Sequence, residues 1–101
     1  MKTQYAIIAA CVLLVTGATS VSAYTGEQYA KQAKVTLKEA RAIAIKARPG
    51  RITDQELEKE NGGSGLRYSF DISKGGKTFE VGVDAMNGNV LENKAEGPNP
   101  D

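Results

Sequence analysis

Carboxylates and Lys/Arg side chains, 12 and 13 of them, dominate the reactive groups of a 101-residue chain that has no histidine and one cysteine, Cys11. Without imidazole there is no Ser–His–Asp relay and no Cys–His nucleophile, and the usual zinc sites lack their donors. Carboxylate chemistry remains. Asp54, Glu56, Glu58 and Glu60 recur at every second position, which puts them on one face of a strand. Paired carboxylates do acid–base work only where an apolar pocket shifts a pKa, and no such pocket is evident, so the row reads as a solvated edge-strand face. Gly62-Gly63-Ser64-Gly65 has the glycines of a phosphate loop, but a strand follows it and no Gly-Lys-Ser/Thr occurs. Asp84-Ala85-Met86-Asn87-Gly88 is close to a calcium loop, except that Met86 stands at an oxygen-ligand position and no spaced glutamate completes it. Lys38, Arg41, Lys46 and Arg48 gather in and after one predicted helix. Lys46 and Arg48 suit the negative end of its dipole, and the others read as a solvated face. No catalytic, cofactor-binding or metal-binding residue is expected, no cofactor is implied, and no partner-binding residue stands out.

The N-terminus reads as an export signal: Lys2 is followed by an apolar run from Ala6 to Val15, and Val21-Ser22-Ala23 is a small-residue cleavage pattern. The run falls short of the about 20 residues that span a bilayer. Cys11 lies in mid-run, where a lipidation cysteine would instead close the segment, so it is an ordinary signal-core residue. Cleavage is expected after Ala23, giving a periplasmic or extracellular protein with no cysteine and no stable membrane insertion. Net charge is +1 over the whole chain, which implies neither nucleic acid nor an anionic membrane as partner. The charges are nonetheless segregated, with seven basic residues and only Glu39 between Lys31 and Arg51, then four acidic residues between Asp54 and Glu60.

The elements that must position these groups are legible from periodicity. Leu66, Tyr68, Phe70 and Ile72, then Phe79, Val81 and Val83, alternate as half-buried strands do, on either side of Gly75-Gly76. A turn centred on the two glycines pairs Ile72 with Phe79, Phe70 with Val81 and Tyr68 with Val83, all on one face. The other face pairs Asp71 with Glu80, a like-charge clash, and Arg67 with Asp84, a favourable pair. Thr36-Leu37-Lys38-Glu39 is a capping box opening a helix to Ala47, and Pro49-Gly50 ends it. Leu37, Ala40, Ile43, Ala44 and Ala47 share its apolar side, with Ile45 off that face. Ile52–Glu60 reads as a first strand with Leu57 opposite the acidic row. A loop Met86-Asn87-Gly88 would oppose Val83 to Leu91 in a short last strand. The expected fold is therefore α+β: one N-terminal helix on a three- to four-stranded antiparallel sheet, in the order α-β-β-β-short β. The alanine-rich helix is the only candidate cover for the apolar face. Residues 24–35 read as a flexible or partly helical lead-in, 36–93 as the folded domain and 94–101 as a disordered tail.

Thr36-Leu37-Lys38-Glu39-Ala40 leading to Ala47-Arg48-Pro49-Gly50 resembles the opening of a PepSY domain, the small module shared with metallopeptidase propeptides. Glu56-Leu57-Glu58 is similar to its first strand. Tyr68-Ser69-Phe70-Asp71-Ile72, Phe79 to Ala85 and Asn87-Gly88-Asn89-Val90-Leu91 are similar to its later strands and closing turn, with Asn87 where the family often has threonine. The resemblance implies a non-catalytic protein outside the cytoplasm that regulates or inhibits a peptidase. A structural or sensory module binding an envelope protein, peptide or small ligand is the alternative, and a homodimer is compatible with either. The family carries no agreed inhibitory residues to transfer. No His-Glu-x-x-His motif follows in this sequence, so the domain is not expected to act as a propeptide in cis.

Overall fold

The computed structural model describes residues 23–97; the stretch expected to be an export signal, up to Ser22, and the last four residues lie outside them. Helix α1 (Leu37–Ala47) is followed by strands β1 (Arg51–Lys59), β2 (Leu66–Lys74), β3 (Lys77–Asp84) and β4 (Val90–Ala95). The strands form one antiparallel meander in the order β1-β2-β3-β4. The α+β fold and the element order match the expectation.

The central hairpin has the predicted register, Tyr68 opposite Val83, Phe70 opposite Val81 and Ile72 opposite Phe79. Gly75 and Gly76 take φ of 60° and 78°, the left-handed values that glycine reaches without a Cβ clash. Leu57, Tyr68, Phe70, Ile72, Val81 and Val83 are buried on the inner face, where each large apolar side chain contributes about 1.5–3 kcal/mol. Ala40 and Ala44 are fully buried beneath α1, so the helix backbone lies close to the sheet. Its start is the predicted capping box: the Glu39 N–H donates to Thr36 Oγ1 (3.1 Å) and the Thr36 N–H donates to Glu39 Oε1 (2.9 Å).

Two bulges adjust the sheet. The β1–β2 register shifts between Ile52 and Asp54. By simple alternation Ile52 would share the acidic face; the extra residue, Thr53, returns it to the inner side opposite Ile72. On the other edge Gly82 faces Glu92 as a three-residue loop requires, but Val83 faces Val90, leaving Leu91 as the extra residue. The expected pairing of Val83 with Leu91 is thus off by one, although Gly88 is left-handed as expected (φ 82°). Strand β4 also runs through Lys94 and Ala95, beyond the boundary drawn at Asn93.

The cover is in two parts, where alternation suggested one. Helix α1 lies over β2, β3 and β4, while a 3-10 helix, Glu27–Gln32, packs on β1. The lead-in is held by the backbone: Thr25 bridges Glu56 in parallel, and the Leu57 N–H donates to the Thr25 carbonyl (2.8 Å). Gly26 (φ 88°) presses against Leu57, and a Cβ there would lie 1.6 Å from the Leu57 carbonyl oxygen. Tyr68 crosses the layers, its hydroxyl donating to the Val35 carbonyl (2.7 Å). Burial, then the nearby Tyr24 and Glu39, raises the Tyr68 phenol above its ordinary pKa.

Candidate functional site

The chain's glycine loop does cradle an anion, and the anion is its own. Asp84 is fully buried at the end of β3. Its carboxylate accepts from the Ser64 N–H (2.7 Å), the Ser64 hydroxyl (2.6 Å) and the Met86 N–H (2.8 Å). Burial opposes ionisation, but the Ser64 side chain and the backbone N–H groups of Met86, Ser64 and Asn87 outweigh it and hold the pKa below the ordinary value. Gly63 passes so close that a Cβ would come within 2.5 Å of Asp84 Oδ2. The carboxylate therefore ties the β1–β2 loop to the β3–β4 loop, and its lone pairs are spent on the fold.

Arg67 lies opposite Asp84 in the ladder, but its guanidinium turns elsewhere. Nη2 donates to the Asn61 carbonyl (3.1 Å), Nη1 lies 3.5 Å from Glu92, and Nε reaches only Glu60, at 3.9 Å. Gly82 makes room for it: a Cβ there would touch Arg67 Nη1 at 3.3 Å. The expected Arg67–Asp84 ion pair is replaced by bonds that close the same end of the sheet.

The open part of the outer face is acidic across three strands. Asp54 faces Asp71, and Asp71 faces Glu80, in a single transverse row that ends on Lys94. Glu56 and Glu58 extend it along β1, where Glu58 accepts from the Ser69 hydroxyl (2.7 Å). Asp54, Glu56, Glu58, Asp71, Glu80 and Glu96 line one depression of about 210 Å³. Glu80 registers the crowding: burial, then Glu92, Asp71 and Glu96, push its pKa up against the opposing pull of Lys94. Glu60, read as a member of the row, instead turns to Arg67. Edge protection accounts for charges on β1 but not for Asp71 and Glu80, which stand on interior strands.

A second surface lies along β1 between the two parts of the cover. The 3-10 helix packs on the Leu57 end, and at the other end Arg41 of α1 reaches over β1 to the Gln55 side chain. Ala23, Tyr24, Thr25, Ile52, Gln55 and Arg41 border a depression of about 620 Å³. It adjoins one of about 550 Å³ lined by Ala42, Ile45, Lys46, Gly50 and Ile52. Arg41 and Ile52 border both depressions.

The four basic candidates do not converge. Arg41 bonds the Gln55 side chain over β1. Arg48 faces β4, its Nε donating to Asn93 Oδ1 (3.0 Å) and its guanidinium lying 4.1 Å from the Phe79 ring centre. Lys38 and Lys46 are exposed. Sequence reasoning missed the Asp84 cradle and the transverse row. For the first, the available signal was a carboxylate opposite an arginine near a Gly-Gly-Ser loop; the second needed the β1–β2 register, in which Asp54 pairs with Asp71.

The family model described as "Peptidase propeptide and YPEB domain" (PepSY) matches residues 34–94. No curated protein and no solved structure matches the chain. The matched stretch includes all of α1 and β1 to β3 and nearly all of β4, more than half of the chain, and the protein belongs to the PepSY family.

Proposed function

We propose that the protein is an exported, non-catalytic binding domain that regulates or inhibits a peptidase in the cell envelope or its surroundings. The observation that carries this reading is the match of α1 and the sheet to a family described by its peptidase propeptides, a family with a regulatory binding role. The ionisable groups support it. Asp84, Arg67 and Arg48 are engaged in holding loops and strands. Export rests on the N-terminal signal pattern, and no helix among the described residues is long and apolar enough to cross a membrane.

The test is to add the purified protein to the extracytoplasmic peptidases of its source and follow their rates, with crosslinking in parallel. At least one peptidase should slow in proportion to added protein and be captured. Unchanged rates together with no crosslinked peptidase would overturn the reading.

A further inference from the structure

We propose that Asn61–Gly62 is a site of spontaneous deamidation, promoted by the Arg67 guanidinium, and that the fold protects the same dipeptide at Asn87–Gly88. This goes beyond the regulatory reading and does not rest on it. Asparagine is followed by glycine at these two places in the chain, and both asparagines are exposed, so neither sequence nor exposure separates them. The reaction begins when the glycine nitrogen loses its proton to solvent and forms a bond to the asparagine Cγ. The Cγ–Nδ2 bond breaks, and that nitrogen leaves as ammonia with a proton from water. Water then opens the resulting cyclic imide at either carbonyl, giving aspartate or, with the main chain rerouted through the former side chain, isoaspartate. Glycine permits the ring closure because it brings no Cβ into its path.

The two sites differ in what holds the reacting atoms. At Asn87 both partners are tied down: the Gly88 N–H donates to the Asp84 carbonyl (2.8 Å), and Asn87 Oδ1 accepts from the Asn89 N–H (2.9 Å). Those bonds must break before the nitrogen can reach the side chain. At Asn61 neither is tied: among the described residues the Gly62 N–H and the Asn61 side chain make no hydrogen bond. The loop is anchored through other atoms, the Glu60 N–H donating to the Gly65 carbonyl (3.1 Å) and the Gly65 N–H to the Gly62 carbonyl (3.0 Å). Arg67 then favours the first step. Its Nη2 donates to the Asn61 carbonyl (3.1 Å), which belongs to the same peptide unit as the Gly62 nitrogen. When that nitrogen loses its proton, the charge is shared with the carbonyl oxygen, where a cationic donor stabilises it. A Cβ on Gly62 would lie 3.0 Å from Arg67 Nη2, so the guanidinium rests against this peptide. The described chain begins beside Ile52 and Asp54, and β4 ends opposite Phe79, both away from this loop. The product adds a carboxylate next to Glu60, in the loop that cradles Asp84.

Trypsin separates the two sites for measurement, since Lys59 and Arg67 bound one peptide and Lys77 and Lys94 bound the other. The folded protein, and the same protein unfolded in guanidinium chloride, are aged side by side at neutral pH. Each peptide is then followed by mass spectrometry for the mass gain and the isoaspartyl product. Asn61 should react at least as fast in the folded protein as in the unfolded chain. Asn87 should react at least about tenfold more slowly when folded, as the two bonds that hold it require. An Arg67→Met variant, checked for native fold by circular dichroism, should deamidate more slowly at Asn61 when folded and at the parent's rate when unfolded. Slower reaction of Asn61 in the folded protein than in the unfolded chain would overturn the proposal. So would equal folded and unfolded rates at Asn87, or a folded Arg67→Met variant that reacts at Asn61 as fast as the parent. The first two comparisons need no variant and decide the matter even where Arg67→Met fails to fold. No target peptidase enters the assay, so its outcome leaves the regulatory reading where it stood.

Discussion

Asp84 and Glu80 stand on the same strand and the same face of the sheet, and their carboxyls are driven in opposite directions. The fully buried one is the stronger acid: Asp84 lies below its ordinary pKa of 3.8, while Glu80 lies above its ordinary 4.5. Burial alone would raise both. The difference is in the neighbours, since Asp84 meets N–H and O–H donors from Ser64, Met86 and Asn87, whereas Glu80 meets burial and three other carboxylates. Satisfaction by donors thus distinguishes a carboxylate built into the fold from one crowded by like charge.

Removing the cradle is the most damaging way to probe this contrast. Asp84→Ala leaves buried donors from Ser64 and Met86 without an acceptor, at about 1–3 kcal/mol each. Thermal melts should show the domain largely unfolded, and a stable variant would break the comparison at its Asp84 side. Gly63→Ala approaches the same site from the loop. The left-handed φ of 55° and the approach to Asp84 Oδ2 should together cost about 2 kcal/mol, read as a lower denaturant midpoint.

The pH dependence sharpens the contrast further. Because Asp84 is depressed, its stabilisation is complete above 3.8 and is lost as pH falls through the lower folded value. Because Glu80 is raised, its contribution is present below 4.5 and is lost as pH rises through the higher folded value. Denaturation at a series of pH values should show stability rising as pH drops from neutral toward 4.5, then falling steeply below 3.8. Glu80→Gln gives the smallest effect, a gain of up to about 0.5 kcal/mol at neutral pH with loss of the first rise. A Glu80→Gln protein that is less stable at neutral pH would show that the acidic row is held together by something other than its own repulsion.

What could be read in advance was whatever repeats at short range. The hairpin register followed from alternation about Gly75-Gly76, and the bounds of α1 from Thr36 and Pro49-Gly50. Both signals sit within a few residues of the structure they specify. Thr53 and Leu91 escaped because a bulge is one unpaired residue, chosen by how distant side chains pack and by no local pattern. The lead-in escaped for a related reason. It is held by a bridge, by backbone bonds to Ala85 and by Tyr24, Tyr29, Ala33 and Val35 packed on the core, apolar residues that follow no regular period. Ser64 and Asp84 are twenty positions apart, and nothing in either neighbourhood announces the other.

The turn at Gly75-Gly76 leaves one practical legacy. Added Cβ atoms at these two glycines would meet nothing within 4 Å, and the tip lies at the far end of the strands from the Asp84 clasp. A short epitope or dye-bearing insert placed between flanking glycines there would project into solvent without disturbing the layers beneath. The molecule thus carries a ready handle for immobilisation, at the end of the sheet opposite the Asp84 clasp.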